Sequence, residues 1–257
     1  MPLSVCIISG AEAARIGRAL QSVAGWAAEI IVVLNAEVTD ETEQIAAKHG
    51  AKVFREPWKG HIAQKNSAAR KATQEWILGL DADEAVSQEL KTEIQELFGD
   101  GTSPGQFAAF SFPRLTNFCG RWIRHGDWYP DRGIRLWRRG SAEWGGVDPH
   151  DKLQVQGRVG RLRSDLLHYN ALEIDDQLAK ISAYSEDFAR DALKQGQRAT
   201  WADLAFRPAW RFVRAYIVRL GFLDGWQGYY IAWMTAFHSV TRYSKVRLAQ
   251  GKPQRTT

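Results

Sequence analysis

Cysteine is nearly absent: the chain holds two, Cys6 and Cys119, with no metal-ligand spacing between them. That excludes a disulfide framework and suits a reducing compartment. Long hydrophobic runs are missing as well. No stretch approaches the ~20 apolar residues of a membrane-spanning helix. Met1 leads straight into a strand-like segment, without the basic and apolar regions of a signal peptide, so none is expected. Neither G-x-G-x-x-G nor a Walker loop occurs, so any nucleotide must be held in another way. There is no internal repeat or low-complexity tract. Acidic residues are scarce at one end only. From Trp201 onward 9 Lys+Arg face 2 Asp+Glu, net +7, whereas residues 1–200 hold 25 against 27, net −2. The overall charge of +5 therefore describes the last fifth of the chain, which also carries 12 of the 29 aromatics. With 45% hydrophobic and 25% charged residues, a chain of 257 can bury one large core, or one core with an appended piece.

What is present centres on Glu75–Val86, EWILGLDADEAV. Trp76–Leu80 is too short for a helix and reads as a buried parallel strand. It ends in Asp81-Ala82-Asp83-Glu84, three carboxylates in four residues. The carboxyl ends of such strands are where α/β sheets bind ligands. Crowded carboxylates repel unless a cation lies between them, and hard cations prefer oxygen. This predicts a divalent-metal site that holds a phosphorylated substrate. The competing reading is an acidic turn at the start of a helix over Ser87–Leu97, where negative charge is favoured.

The rest of the first half alternates strand and helix. Leu3–Ser9, Glu29–Leu34 and Ala51–Arg55 read as strands, and Glu12–Val23 as a helix with Ile16, Leu20 and Val23 at helical spacing. A second helix opens at Thr39-Asp40 with a capping-box-like Asp40…Glu43 and closes before Gly50. His61–Thr73 is a basic, Ala-rich helix. This order predicts a parallel sheet with right-handed crossovers. The loop Gly99–Gly105 is the expected internal boundary.

Beyond it, Gln106–Pro113 and Gly133–Arg138 read as strands. Between them Asn117–Arg132 is dense in Trp, Arg, His and Gly. Aromatics beside arginines suit a sugar or phosphate site, and equally a loop packed over the sheet with solvated arginines. Asp148, His150 and Asp151 cluster after Gly145-Gly146 and could supply a general base, or be a polar turn. Ala171–Gln195 is an amphipathic helix. Trp201–Leu248 is mostly helical with a break near Gly221, Gly225 and Gly228, and interleaves Arg207, Arg211, Arg214 and Arg219 with aromatics. Such a stretch can meet an anionic lipid surface, or be a helical cap.

Taken together, "AQKN", "WILGLDADE", "GRWIRHGDWYPD", "IRLWRRG", "HDKL", "LLHY" and "GFLDGWQG" resemble the glycosyltransferase family 2 enzymes of GT-A fold. More closely, they resemble the bacterial lipopolysaccharide-core β-glucosyltransferases, and the resemblance spans about Leu3 to Tyr243. It implies an α/β GT-A domain over 1–170, with a nucleotide-sugar half of about 1–98 and an acceptor half of about 106–170. A helical, basic-aromatic extension follows over 171–257. It further implies inverting, metal-dependent transfer of a sugar, glucose from UDP-glucose in particular, to a lipid-linked saccharide. The setting is the cytoplasmic side of the cytoplasmic membrane, with an anionic membrane surface as partner and no nucleic acid.

By the same resemblance Asp83 and His168 hold Mn²⁺ or Mg²⁺, and Asp81 contacts the ribose or the metal. Glu12, Asn35, Lys65 and Asn66 complete the nucleotide-sugar site. Arg124, His125, Trp128, Tyr129 and Arg135 serve the acceptor or phosphates, and Asp151 is the base. Three positions depart from the family pattern. Ala11-Glu12 replaces Asn-Glu, Asn35 replaces Asp, and Asp151 replaces Glu, a side chain shorter by one methylene. The rival readings are a nucleotidyltransferase and a non-catalytic membrane- or glycan-binding protein.

Overall fold

The computed structural model describes residues 1–99, 104–148, 150–169 and 174–250. The chain divides into two compact units: Met1–Leu115 with Asp131–Tyr169, and Thr116–Pro130 with the C-terminal helices.

The first unit starts β1 (Leu3–Ser9), α1 (Ile16–Val23), β2 (Glu29–Asn35), α2 (Thr42–Lys48), β3 (Lys52–Glu56), α3 (His61–Lys71), β4 (Trp76–Asp81). It continues with β5 (Glu84–Val86) and α4 (Gln88–Leu97), and β6 (Phe107–Phe118) begins here. Strands β3, β2, β1 and β4 lie side by side and parallel, as the strand–helix alternation requires. β1 is buried at every position, which is why it reads as an unbroken apolar run.

Helices cover both faces of the sheet. Ile16, Leu20 and Val23 of α1 pack into one core cluster, each worth about 1.5–3 kcal/mol. Ala68 and Ala72 of α3 pack into the other, with Trp137 and Trp144. The buried Glu29 stitches the central strands: it accepts from Ser4 Oγ at 2.6 Å, Thr73 N at 2.6 Å and Lys52 Nζ at 3.0 Å.

Past β4 the sheet turns mostly antiparallel. After β7 (Arg121–Trp122) come β8 (Asp131–Arg138), β9 (Ala142–Val147), β10 (His150–Val155), β11 (Arg158–Arg161) and β12 (Leu166–His168). β8 pairs with β4 and with β6, while β12 pairs with β5 in the register His168↔Glu84. β9 and β10 form a separate antiparallel hairpin that includes the pair Gly145-Gly146. Gly79 of β4 lies under that hairpin. A Cβ there would sit 3.2 Å from the rings of Trp137 and Trp144.

In the second unit the end of β6 pairs with β7 around Cys119 and Gly120, both at positive φ (47° and 80°), the signature of a tight two-residue hairpin. Three helices follow: α5 (Ile174–Lys194), α6 (Trp201–Val213) and α7 (Gly225–Gln250). Thr200 and Asp203 form a capping box on α6, and the helix continues as a π-turn over Arg214–Val218. Gly228 has no room for a Cβ against the Gly221 carbonyl, so the break between α6 and α7 needs glycine there. No helix among the described residues is long and apolar enough to cross a membrane.

Candidate functional site

The carboxyl ends of β1, β2 and β4 bring the first group together. Asp81, the last residue of β4, faces two cations: Lys65 Nζ of α3 lies 3.0 Å from Oδ1 and Arg135 Nη2 of β8 lies 3.0 Å from Oδ2. Burial alone would push this carboxyl up, but Arg135 and Lys65 hold it well below the usual carboxylate range. The acidic run is not a helix cap. Ser87 caps α4, its Oγ accepting from Leu90 N at 3.0 Å, and β5 stands between. Glu84 is only 1% exposed and is part of the frame: it accepts from Asp81 N at 3.0 Å and from Arg135 Nη2 at 3.2 Å, with Arg114 Nη1 at 3.5 Å.

Asp83 turns the other way. Its Oδ2 is 3.3 Å from His168 Nε2, and its carbonyl accepts from Tyr169 N at 2.9 Å. The β5–β12 register puts the two side chains together. Burial opposes ionisation of Asp83, and His168 more than offsets it, so the pKa is lowered. Glu12 is affected in the opposite sense, raised by burial first and by the nearby Asp83 charge, against Arg15 at 2.7 Å. Its loop is fixed by Thr42 Oγ1, which accepts from Glu12 N at 2.9 Å, and by Asp40, which accepts from Ala13 N at 3.2 Å. Asp40 therefore does not form a capping box with Glu43, which pairs with Arg55 instead. Asn35 closes the turn after β2, accepting from Glu37 N at 3.2 Å.

The β9–β10 hairpin carries the second group. Asp151 Oδ2 lies 2.9 Å from Lys65 Nζ, so one ammonium joins it to Asp81. Asp148 is engaged elsewhere: its Oδ1 accepts from Ile62 N at 3.0 Å at the start of α3. Asn66 grips Trp144 through both ends of its amide, each at 2.9 Å. The Trp144 ring in turn lies 4.7 Å from Lys65 Nζ and 5.5 Å from the Arg135 guanidinium. Trp144 and Arg114 carry no signal in the sequence beyond residue type, and Glu84, one of the acidic run, is engaged here by Arg135 and the Asp81 amide.

The second unit holds Arg124, His125, Trp128 and Tyr129. The Arg124 and His125 amides donate to Asp224 Oδ2 at 3.0 and 2.7 Å, and His125 Nδ1 is 3.2 Å from Oδ1. Asp127 pairs with Arg214 at 2.7 Å and Arg219 at 3.4 Å. Trp128 packs edge-on against Phe118, with ring centroids 5.3 Å apart, and Tyr129 precedes a cis proline. Arg135 belongs to the first unit, at Asp81.

The glycosyl transferase family 2 model matches residues 4–139, the stretch that builds the strand-end carboxylates. The chain belongs to glycosyl transferase family 2. This family 2 glycosyltransferase is 32% identical over 254 residues to an uncharacterized glycosyltransferase of Rickettsia typhi, covering 95% of this chain and 86% of the relative. It is 27% identical over 258 residues to the lipopolysaccharide core biosynthesis glycosyltransferase LpsC of Rhizobium meliloti, covering 95% and 94%. In fold it is similar to S. aureus TarS, with a TM-score of 0.50 at 14% identity, covering 100% of this chain and 56% of that one.

For a family 2 transferase the metal question turns on the donor set. Among the described residues no three His, Cys, Asp or Glu side chains converge on one point. Asp83 and His168 offer one oxygen and one nitrogen. Two protein donors with phosphate oxygens and water completing the shell is how Mg²⁺-type cations sit on nucleotides, and the imidazole suits Mn²⁺. The pair fits such an ion.

Proposed function

We propose that the protein transfers a sugar from a nucleotide diphosphate donor, UDP-glucose in particular, to a lipid-linked saccharide such as a lipopolysaccharide core, with inversion at C1. The observation that carries this is the single Lys65 ammonium shared by Asp81 and Asp151. It sets the strand-end carboxylate and a second carboxylate of the hairpin on one cation, a spacing suited to a donor on one side and an attacking hydroxyl on the other.

In this reading Asp151 takes the proton of the acceptor hydroxyl as its oxygen bonds to C1 and the bond from C1 to the diphosphate breaks. Lys65 orients Asp151, and Arg135 faces the charge that develops on the diphosphate. Asp83 and His168 would hold the divalent cation, which when bound neutralises the departing diphosphate. Glu12 and Asn35 border the nucleotide at the ends of β1 and β2. The name of the relative LpsC supports a lipopolysaccharide acceptor, and the net +7 of residues 201–257 supports work at the anionic inner face of the cytoplasmic membrane.

The test is transfer and hydrolysis with UDP-, GDP- and dTDP-sugars, with Mn²⁺ or with EDTA. A UDP-sugar turned over only with metal is the expected result. Turnover in EDTA equal to that in Mn²⁺ overturns the metal-dependent reading.

A further inference from the structure

The hairpin of α6 and α7 exposes more apolar surface than a monomer in water ordinarily tolerates. On α6 and the π-turn that continues it, the exposed side chains include Phe206, Trp210, Val213 and Ile217, at spacings of 4, 3 and 4, along one side. On α7 they are Trp226, Tyr229, Trp233 and Phe237, at 3, 4 and 4, again one face. The two faces are continuous. Phe212 lies against Trp233 with ring centroids 4.9 Å apart, and Tyr216 against Tyr229 at 5.6 Å, so the seam between the rows is itself aromatic. At the turn Val218, Leu220 and Phe222 extend the surface round the tip. Phe206 is 74% exposed and Trp210 58%.

Large aromatic side chains carry roughly 150–250 Å² each. Half-exposed rows of this length therefore present on the order of 1,000 Å², against a few hundred for the largest patch of a typical monomer.

The charges around this surface select its partner. Arg207 and Arg219 are exposed, paired with Asp203 and Asp127, and Arg211 is half-exposed, while both carboxylates of the hairpin are engaged. Asp203, at 16% side-chain exposure, caps α6 and pairs with Arg207, and Asp224 is buried under the Arg124 and His125 amides. The face thus offers Trp, Tyr and Arg with no free carboxylate. That composition complements an anionic lipid surface, where aromatic rings sit at headgroup depth and arginines reach phosphates.

We infer that the α6–α7 face docks on an anionic bilayer by inserting its aromatic and aliphatic side chains at the headgroup–acyl boundary. The inference rests on the membrane partner proposed above and deepens it, since attachment is apolar as well as electrostatic. Salt then weakens binding without abolishing it, because the inserted area is not screened.

The experiment uses the full chain with phosphatidylglycerol and phosphatidylcholine vesicles at low and high salt, read by sedimentation and by quenching of tryptophan fluorescence with brominated lipid. Wild type is expected to pellet with phosphatidylglycerol, to be quenched, and to retain part of its binding at high salt. Trp210→Ser with Trp233→Ser should lose most of the quenching and the salt-resistant fraction. Circular dichroism and a thermal melt verify the fold, and Phe237→Ser is the milder second variant. Pelleting with phosphatidylglycerol but no quenching, abolished by salt, overturns insertion and leaves charge-driven attachment standing. No pelleting with either vesicle overturns both readings. A dimer in solution that the same variants dissociate, without vesicle binding, overturns the inference and makes the face an interface between copies.

Discussion

Asp83 Oδ2 and His168 Nε2 stand 3.3 Å apart although 85 residues separate them in the chain. If this pair holds a divalent ion, Asp83→Asn should abolish turnover and weaken nucleotide-sugar binding in Mn²⁺. His168→Ala should weaken metal affinity by at least the ~10–100-fold that loss of an outer-shell partner costs. Calorimetric titration of UDP with Mn²⁺ and with EDTA checks both. Equal affinity in EDTA would show the carboxylate and imidazole to be a structural pair.

The two hairpin aspartates separate cleanly by variant. Asp151→Asn should remove transfer while leaving nucleotide-sugar binding nearly intact, because the base acts on the acceptor. Asp148→Asn keeps an acceptor for Ile62 N and should leave transfer near wild type, whereas Asp148→Ala should cost about 1 kcal/mol of stability. Transfer by the Asp151 variant with loss in the Asp148→Asn variant would move the base to Asp148.

Lys65→Met removes the ammonium shared by Asp81 and Asp151 while keeping much of the side-chain volume. Two carboxylates then lose their common cation, so both KM for the donor and kcat should worsen, unlike the kcat-centred loss expected for Asp151→Asn. Steady-state kinetics on the two variants side by side make the comparison. An unchanged KM for Lys65→Met would confine that residue to orienting Asp151.

Acid stability should depend measurably on Glu29. Burial would raise its carboxyl, but the Ser4, Thr73 and Lys52 hydrogen bonds lower it from 4.5 to about 2. The carboxylate therefore stabilises the fold fully above about pH 4.5, and the contribution disappears as pH falls toward 2. A shift of this size corresponds to on the order of 3 kcal/mol. In Glu29→Gln the denaturant midpoint should fall at pH 7 and decline less steeply between pH 5 and 2. Parallel pH profiles for the two proteins would show that Glu29 is not the linked group.

Much of the first unit was legible because each parallel strand is a short apolar run bounded by turn residues. The acidic run after Trp76–Leu80 was legible because strand and carboxylates adjoin in sequence. Pairings set by the third dimension were not. Glu84 looks like one more acid in a turn, and only the approach of Arg135 and Arg114 makes it part of the frame. The stretch after Gly145-Gly146 reads as a polar turn or a base cluster, yet it is a strand hairpin, because Trp144 and Leu153 give the strands a core to pack on. The aromatic-arginine stretch belongs with the C-terminal helices, since its organiser Asp224 lies 100 residues from Arg124.

Gly79→Ala should be costly for a residue in the middle of a strand. The added methyl would press on Trp137 and Trp144 at 3.2 Å, and overpacking of this kind costs about 1–3 kcal/mol. Thermal denaturation should show the loss, and donor binding should weaken too, because Trp144 lines Lys65 and Arg135. A wild-type melting temperature would mean that the hairpin gives way freely.

That hairpin does not float. One helix, α3, holds it at three successive points: Ile62 N to Asp148, Lys65 to Asp151, and Asn66 to the Trp144 backbone. A strand pair mounted in this way travels with its support as one lever. Lys65 also meets Asp81 of β4, so helix, hairpin and strand end are joined through one ammonium. A displacement of α3 is thus passed to the hairpin through these three contacts, and a push on the hairpin is passed back to the helix.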